Sequence, residues 1–436
     1  MEAGDFRPFE LEYLGDQRTS ALHVRLSESE LRTSVEVDGP TGDSYADFWM
    51  SYLRGRSLQF PQERDEIRIA DLFCGPGGLS QGVQLGARAL GYRVQHQLLV
   101  DVDKGALDVA SFNHRPQMAL NVSTASLVDF QVRSSSESAT FQYPPQLIDE
   151  SAASVAGEID VLIAGPPCQG HSTANKNRRN FDQRNLLYLT VPALAIAWGV
   201  PTVIIENVPA VKASQQGVVQ TTYRLFREYG YSVTEGVINA ADFGWPQARR
   251  RYFMIASRDR NMGGPIKRYF PSIGMRSALP ISVALGDLID AGGSDFMTML
   301  PDLSDDNRNR IRILHESSDH DLPMEHRNEK ARIAGTTYPS VYGKMYWDRP
   351  AQTLTTGFMT PGRGRYVHPL RQRTLLPREA ARLQGFPDSY RFDAFGELPA
   401  RTALARWIGD AVPAPLGFAA ALVALASESL TLDSAD

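Results

Sequence analysis

Cysteine is almost missing from this chain: two occur in 436 residues, Cys74 and Cys168. Two thiols cannot build a disulfide framework or a zinc cage, so the expectation is a cytoplasmic protein that folds on its own core and needs no metal. Long apolar runs are missing as well. None reaches the roughly 18 residues of a membrane helix, and the leading MEAGDFRPFELEYLG lacks the basic-then-apolar pattern of a secretory signal, so no membrane partner is expected. Nor is there an excess of positive charge: 45 Lys and Arg stand against 50 Asp and Glu, a formal net charge of −5. No global field recruits a polyanion, and any nucleic-acid site has to be a local basic patch. What is present is an ordinary globular composition, 42% hydrophobic and 22% charged, which excludes a disordered or fibrous chain. At about 100–200 residues per domain the length suggests two or three domains.

Residues 1–66 are polar and mixed in charge, with a GPTGDS turn at 39–44. They read as an N-terminal extension that leaves a DNA contact, a partner-protein surface and a shield for the rest of the fold equally open. From residue 67 the pattern changes. IRIADLF is a short apolar strand that runs into the glycine-rich turn CGPGG, and LSQGVQLGARALGY follows at helical spacing. VQHQLLV (94–100), IDVLIAG (159–165), TVIIENV (202–208) and RYFMIAS (251–257) give four more strands, and helix-compatible stretches at 185–199 and 220–230 separate several of them. That alternation predicts an α/β fold with a doubly wound, mostly parallel sheet. A Ser-rich insert at 123–156 reads as a surface loop. After residue 258 the alternation stops, and the irregular Gly-, Pro- and Arg-rich region 262–372 predicts a second, smaller domain.

In a doubly wound sheet, ligands sit at the carboxyl ends of the strands, where glycine lets the backbone approach. DLFCGPGG (71–78) ends the first strand. It lacks the GxGxxG spacing, which argues against the dinucleotide-dependent oxidoreductase that the fold alone would allow. VDVDK ends the next strand, and Asp101 there suits ribose hydroxyls, hence a nucleoside-containing cofactor; the plainer alternative is a solvated carboxylate. AGPPCQGHS (164–172) holds Cys168 in a turn stiffened by two prolines. A lone cysteine is usually a small buried hydrophobe, the role that fits Cys74, but a core residue has no need of a rigid loop, so Cys168 is a candidate nucleophile. Glu206 follows four apolar or β-branched residues in TVIIENVP, where a carboxyl can have a raised pKa and donate a proton; alternatively ENVP only caps the strand through Asn207. QARRRYF (247–253) sets Arg249 and Arg251 two apart and so on one side of a strand, able to hold a base carbonyl or a phosphate.

DLFCGPGG, GPPCQGHS, ENVP and QARRR, in this order, resemble the cytosine-C5 methyltransferase family, and RPAQTLTT (349–356), RTLLPREAARLQGFPDSY (373–390) and GDAVPAPLG (409–417) extend the match over about residues 67–425. The resemblance implies a Rossmann-like class I methyltransferase domain at 67–261, a target-recognition domain at 262–372, and a segment, 373–436, that returns to the catalytic domain through a helix near 412–427. It implies S-adenosylmethionine as cofactor and double-stranded DNA as partner. In the implied reaction Cys168 adds to C6 of a flipped-out cytosine and Glu206 protonates or hydrogen-bonds N3. C5 then takes the methyl group, with Arg251 on the base O2 and Arg249 orienting the site. The implied cofactor contacts are Phe73 on the adenine, Gly75 and Gly77 along the methionine moiety, Asp101 on the ribose, and Asn121, Pro167, Asn185 and Val412 nearby. For DNA, the loop TANKNRRNFDQRN (173–185) offers Lys176, Arg178 and Arg179. TGFMTPGRGRYVHPLRQR (356–373) offers Arg363, Arg365, Arg371 and Arg373 with no acid among them, a local basic patch that the net charge conceals.

Three positions depart from the family pattern. His171 stands where an aromatic is usual, Asn121 replaces an adenine-contacting Asp, and Asp410 stands where Asn is usual. Two other readings remain open: the same chemistry on tRNA, and a catalytically silent DNA-binding homologue. The sizeable region after residue 258 favours DNA over tRNA, and the presence of Cys168, Glu206 and Arg251 together counts against the silent homologue.

Overall fold

The computed structural model describes residues 7–135, 137–167, 187–213, 217–327 and 341–426. The N-terminal extension is folded. Strands β1 (Glu10–Gly15), β2 (Thr19–Arg25) and β3 (Glu30–Glu36) form an antiparallel meander. Period-two alternation drives it: Leu31, Thr33 and Val35 point inward while Glu30, Arg32 and Glu36 face solvent. Helix α1 (Ser44–Leu53) starts at Asp43, whose side chain accepts from the Tyr45 and Ala46 amides. Its Trp49 meets Trp245 and Phe418 edge-on at 5.5 and 5.4 Å between ring centroids. The extension therefore shares one apolar core with the chain that follows it.

Seven strands make the main sheet: β4 (Asp65–Leu72), β5 (Tyr92–Val100), β6 (Met118–Leu120), β7 (Val161–Ala164), β8 (Thr202–Asn207), β9 (Ser232–Asn239) and β10 (Arg250–Ser257), in the spatial order β9-β10-β8-β7-β4-β5-β6. Only β10 runs against its neighbours, so the sheet is the mostly parallel, doubly wound one that the alternation predicts. VLIA of β7 and TVIIEN of β8 are buried along their whole length, as parallel strands covered on both faces must be. Helices α2 (Gly78–Ala89), α3 (Lys104–His114), α4 (Thr190–Trp198) and α5 (Val218–Glu228) connect them.

Later elements are α6 (Asp305–Glu316), α7 (Pro377–Leu383), α8 (Arg401–Asp410) and α9 (Ala414–Ala426). Helix α9 returns to the sheet and lies directly on α2. A Cβ on Gly82 would stand 2.1 Å from the Ala414 carbonyl oxygen, so the close approach needs glycine there. The 401–426 stretch is apolar and long enough to cross a membrane by composition alone, but 83% of its most apolar window is buried inside the protein. Its apolarity belongs to the core.

Two expectations change. The 123–156 insert is more than a surface loop: two short antiparallel pairs, Val128–Asp129 with Gln146–Leu147 and Val132–Ser134 with Ala139–Phe141, and a short helix Glu150–Ser154 bury Leu127, Val128, Phe141 and Val155. The 262–372 region is irregular as expected, but its first part, including Met262, Ile266, Tyr269 and Ile281, packs into the main core. Among the described residues, a small core of its own forms around Leu303, Ile311, Leu314, Leu322, Tyr342 and Val367.

Candidate active site

From β4 the chain winds outward through β5 and β6, then crosses to β7 and β8 on the other side. The crevice of such a fold lies at this switch, outside the carboxyl ends of β4 and β7. Ala164 pairs with Leu72 on one side and Ile205 on the other, so Phe73, Gly165 and Glu206 emerge at one level. Beyond β4 the backbone doubles back through three left-handed residues, Phe73 (φ 60°), Gly75 (φ 53°) and Gly77 (φ 86°). Asp101, at the end of β5, anchors the turn: its Oδ2 accepts from the Gly75 amide and its Oδ1 from the Asp103 amide, both at 2.8 Å. Burial raises this carboxyl above its ordinary range. The Asn121 amide nitrogen donates to the Asp101 carbonyl at 2.9 Å.

Gly77 is required twice over. Its φ is left-handed, and a Cβ would fall 2.6 Å from both His114 Nε2 and the Tyr390 hydroxyl. His114 lies 3.2 Å from the Gly77 carbonyl and 3.1 Å from Gln84 Oε1, and burial lowers it to about 4, so a neutral imidazole props the loop from behind. A Cβ on Gly78 would meet the Val412 carbonyl at 2.6 Å, which seats the segment before α9 against the start of α2. Phe73, Gly75, Gly77, Asp101, Asn121 and Val412 are thus gathered at the ends of β4 to β6. Two residues here escaped the sequence reading. Asp71 is fully buried, with Oδ2 on the Ser80 hydroxyl at 2.7 Å and Oδ1 unpartnered, and burial pushes its carboxyl far up. Val102 is 71% exposed beside Asp101; an apolar residue between the acids of VDVDK was its only signal.

Toward β8, Glu206 is 6% exposed and lies beside Gly165, where a Cβ would come 3.6 Å from Glu206 Oε2. Arg251 Nε stands 2.8 Å from Glu206 Oε1. Burial raises the Glu206 carboxyl, and Arg251 and Arg249 pull it back only in part. Asn207 does more than cap its strand: its Nδ2 donates to the Pro166 carbonyl at 3.0 Å and so holds the segment, with half-buried Pro167, that leads into Cys168. Cys168, Lys176, Arg178, Arg179 and Asn185 lie outside the described residues. Cys74 is buried and its thiol is pushed well up, the behaviour of an inert core residue.

The family model for the C-5 cytosine-specific DNA methylase matches residues 67–423. The chain belongs to this family. It is similar to the type II methyltransferase M1.BsuMI of Bacillus subtilis (strain 168), 36% identical over 379 residues that cover 87% of this chain and 84% of the relative. It is also similar to the type II methylase M.HgiDII of Herpetosiphon aurantiacus, 31% identical over 362 residues, 80% of this chain and 92% of the relative. Among solved structures, the S. pombe Dnmt2 methyltransferase superposes with a TM-score of 0.54 at 16% identity, over 81% of this chain and 96% of that one. At that identity the similarity is one of fold. The enzyme is a DNA (cytosine-5)-methyltransferase.

In this methyltransferase the basic patch at 356–373 divides. Arg373 is buried and grips Glu379 through both guanidinium nitrogens at 2.7 and 2.8 Å. Arg365 donates to the His320 and Lys344 carbonyls and to Asp321 at 2.8, 3.0 and 2.7 Å. Both were expected on DNA, and both are engaged inside the fold instead, because the loop turns alternate arginines inward, Arg373 onto buried Glu379 and Arg365 onto two carbonyls and the partly exposed Asp321. Arg363 and Arg371 are exposed, the latter paired with Asp290. Arg249, expected to orient the catalytic site, is also turned inward. Its Nη1 donates to the Leu354 carbonyl at 2.6 Å and its Nη2 to those of Gly409 and Ala411 at 3.1 and 3.0 Å.

Proposed function

We propose that the protein methylates C5 of a cytosine flipped out of double-stranded DNA, with S-adenosylmethionine as methyl donor and Cys168 as covalent nucleophile. The observation that carries the reading is Glu206: a buried carboxyl with a raised pKa, at the end of β8, in contact with Arg251 and one strand from the segment that leads into Cys168. The cofactor fits the residues at the ends of β4 to β6. Asp101 keeps lone pairs for ribose hydroxyls, the left-handed turn opens backbone room, and the unpartnered Asp71 Oδ1 and exposed Val102 offer one polar and one apolar contact. S-adenosylmethionine supplies an electrophilic methyl group at its sulfonium.

The chain's own residues supply the rest. The Cys168 thiolate bonds to C6 of the cytosine while Glu206 gives its proton to N3, so the ring electrons collect at C5. Arg251 holds Glu206 and reaches the base O2. C5 takes the methyl group, a base then removes the C5 proton, the C6–S bond breaks to return the thiolate, and N3 gives its proton back to Glu206. Taking the nucleotide out of the duplex costs roughly a few kcal/mol, to be recovered in backbone contacts for which the exposed Arg363 and Arg371 are candidates.

The test is trapping on duplex DNA that carries 5-fluorocytosine, in the presence of S-adenosylmethionine. Fluorine blocks the final elimination, so the wild type should form an adduct that survives denaturation and Cys168→Ala should form none. An adduct on fluorinated tRNA but not on diverse duplex DNA would replace the substrate, and none on either would overturn the covalent route.

A further inference from the structure

Arg249 is 1% exposed, and no carboxylate among the described residues hydrogen-bonds it. A guanidinium buried this deeply, whose hydrogen bonds go to carbonyls while the Glu206 and Asp410 carboxylates act on it only through space, is an expensive choice. What it offers in return is a rigid fork of donors that can hold several acceptors in fixed relative positions. The three carbonyls it holds come from two places: Leu354 in the recognition region, and Gly409 and Ala411 in the last turn of α8 and the link to α9. Gln384, fully buried at the end of α7, grips the same turn, its Nε2 donating to the Ile408 carbonyl at 2.7 Å and lying 3.4 Å from those of Gly409 and Ala411. Backbone meets backbone in between, for a Cβ on Gly409 would stand 2.5 Å from the Thr356 nitrogen. The next residue of the turn, Val412, is the one whose carbonyl rests on Gly78 at the head of α2.

On the other side, the recognition segment is zipped to the residues just before β10, next to Arg249. The Ala248 amide donates to the Ala351 carbonyl at 2.7 Å, and the Thr353 hydroxyl donates to the Ala248 carbonyl at 2.8 Å. Arg249 is thus the node where β10, the recognition segment and the 409–412 turn join.

We infer that Arg249 is a positioning residue for the cofactor: together with Gln384 it fixes the 409–412 turn against the loop at Gly75–Gly78 and so sets one wall of the cofactor pocket. This rests on the reading above that the pocket takes S-adenosylmethionine. Lysine at position 249 would keep the charge but not the fork, and methionine at position 384 would keep the volume but not the donor.

Calorimetry with S-adenosylhomocysteine, without DNA, is the direct measurement, on the full chain and on Arg249→Lys and Gln384→Met. Both variants should bind at least tenfold more weakly than wild type. In initial-rate grids of S-adenosylmethionine against unmethylated high-complexity DNA, Arg249→Lys should raise KM for the cofactor by a similar factor, and by more than it lowers kcat. Wild-type affinity in a folded Arg249→Lys overturns the inference, as does a kcat loss of a hundredfold at unchanged cofactor KM, which would put Arg249 on the reacting base. If Arg249→Lys fails to fold, Gln384→Met decides alone, with wild-type binding counting against the inference. A wild type that does not bind S-adenosylhomocysteine fails the cofactor reading itself, a distinct result.

Discussion

At Glu206 two influences oppose each other, and burial outweighs the Arg251 guanidinium 2.8 Å away, so the carboxyl keeps its proton to higher pH than an exposed glutamate. A rate that draws on that proton holds at low pH and falls as pH rises through the raised pKa of Glu206. Replacing Arg251 with Met removes a lowering influence and should move this alkaline limb further up, even while it slows the reaction. Glu206→Gln should lose about 10²–10⁴-fold in rate and lose the limb with it. A pH series of kcat/KM with labelled cofactor reads both effects, and a limb that survives in Glu206→Gln belongs to another group. The placement of Glu206 at a buried strand end was legible in the sequence, because a run of apolar or β-branched residues leads into it. The partners of Arg249 were not. Spacing shows that a side chain shares a face with Arg251, but the carbonyls it meets lie 105 to 162 residues further along the chain.

Among elements, the strands legible as continuous apolar runs, β7, β8 and β10, are those buried on both faces, where no alternation is needed to recognise them. The edge strand β9, SVTEGVIN, has a half-exposed middle, and the Ser-rich insert carries its buried Val128, Ala139 and Phe141 on two- and three-residue strands. Local composition there resembles a loop, and only tertiary pairing decides otherwise. The loop at 356–373 shows the same limit, since charge alone does not tell a DNA contact from an internal tie. Two substitutions separate these roles. Arg373→Ala strands Glu379 in the core and should cost about 3–5 kcal/mol of stability. Arg363→Ala removes an exposed cation and should leave stability within about 0.5 kcal/mol while weakening DNA binding. Denaturant unfolding and DNA titration on each variant check the pair; equal stability losses would remove the distinction.

Over the whole molecule, the extension and the catalytic part meet at Trp49, buried against Trp245 and Phe418. Trp49→Ala should cost about 3–5 kcal/mol and lower a single unfolding transition rather than split it, as calorimetry would record; two separated transitions would make the extension an independent unit. This union was hidden in the sequence because its halves stand far apart and the first is polar in composition. A second long-range union carries a consequence for synthesis. Gly82 and Gly417 touch across α2 and α9, yet about 335 residues separate them, and a ribosome working at about 5–20 residues per second needs roughly 20–70 s to deliver the second after the first. Through that interval α2 has left the exit tunnel while the helix that covers it does not yet exist. A nascent chain released early would therefore be no partial enzyme but a half-made product with the small and apolar face of α2 left bare, a client for chaperones and proteases.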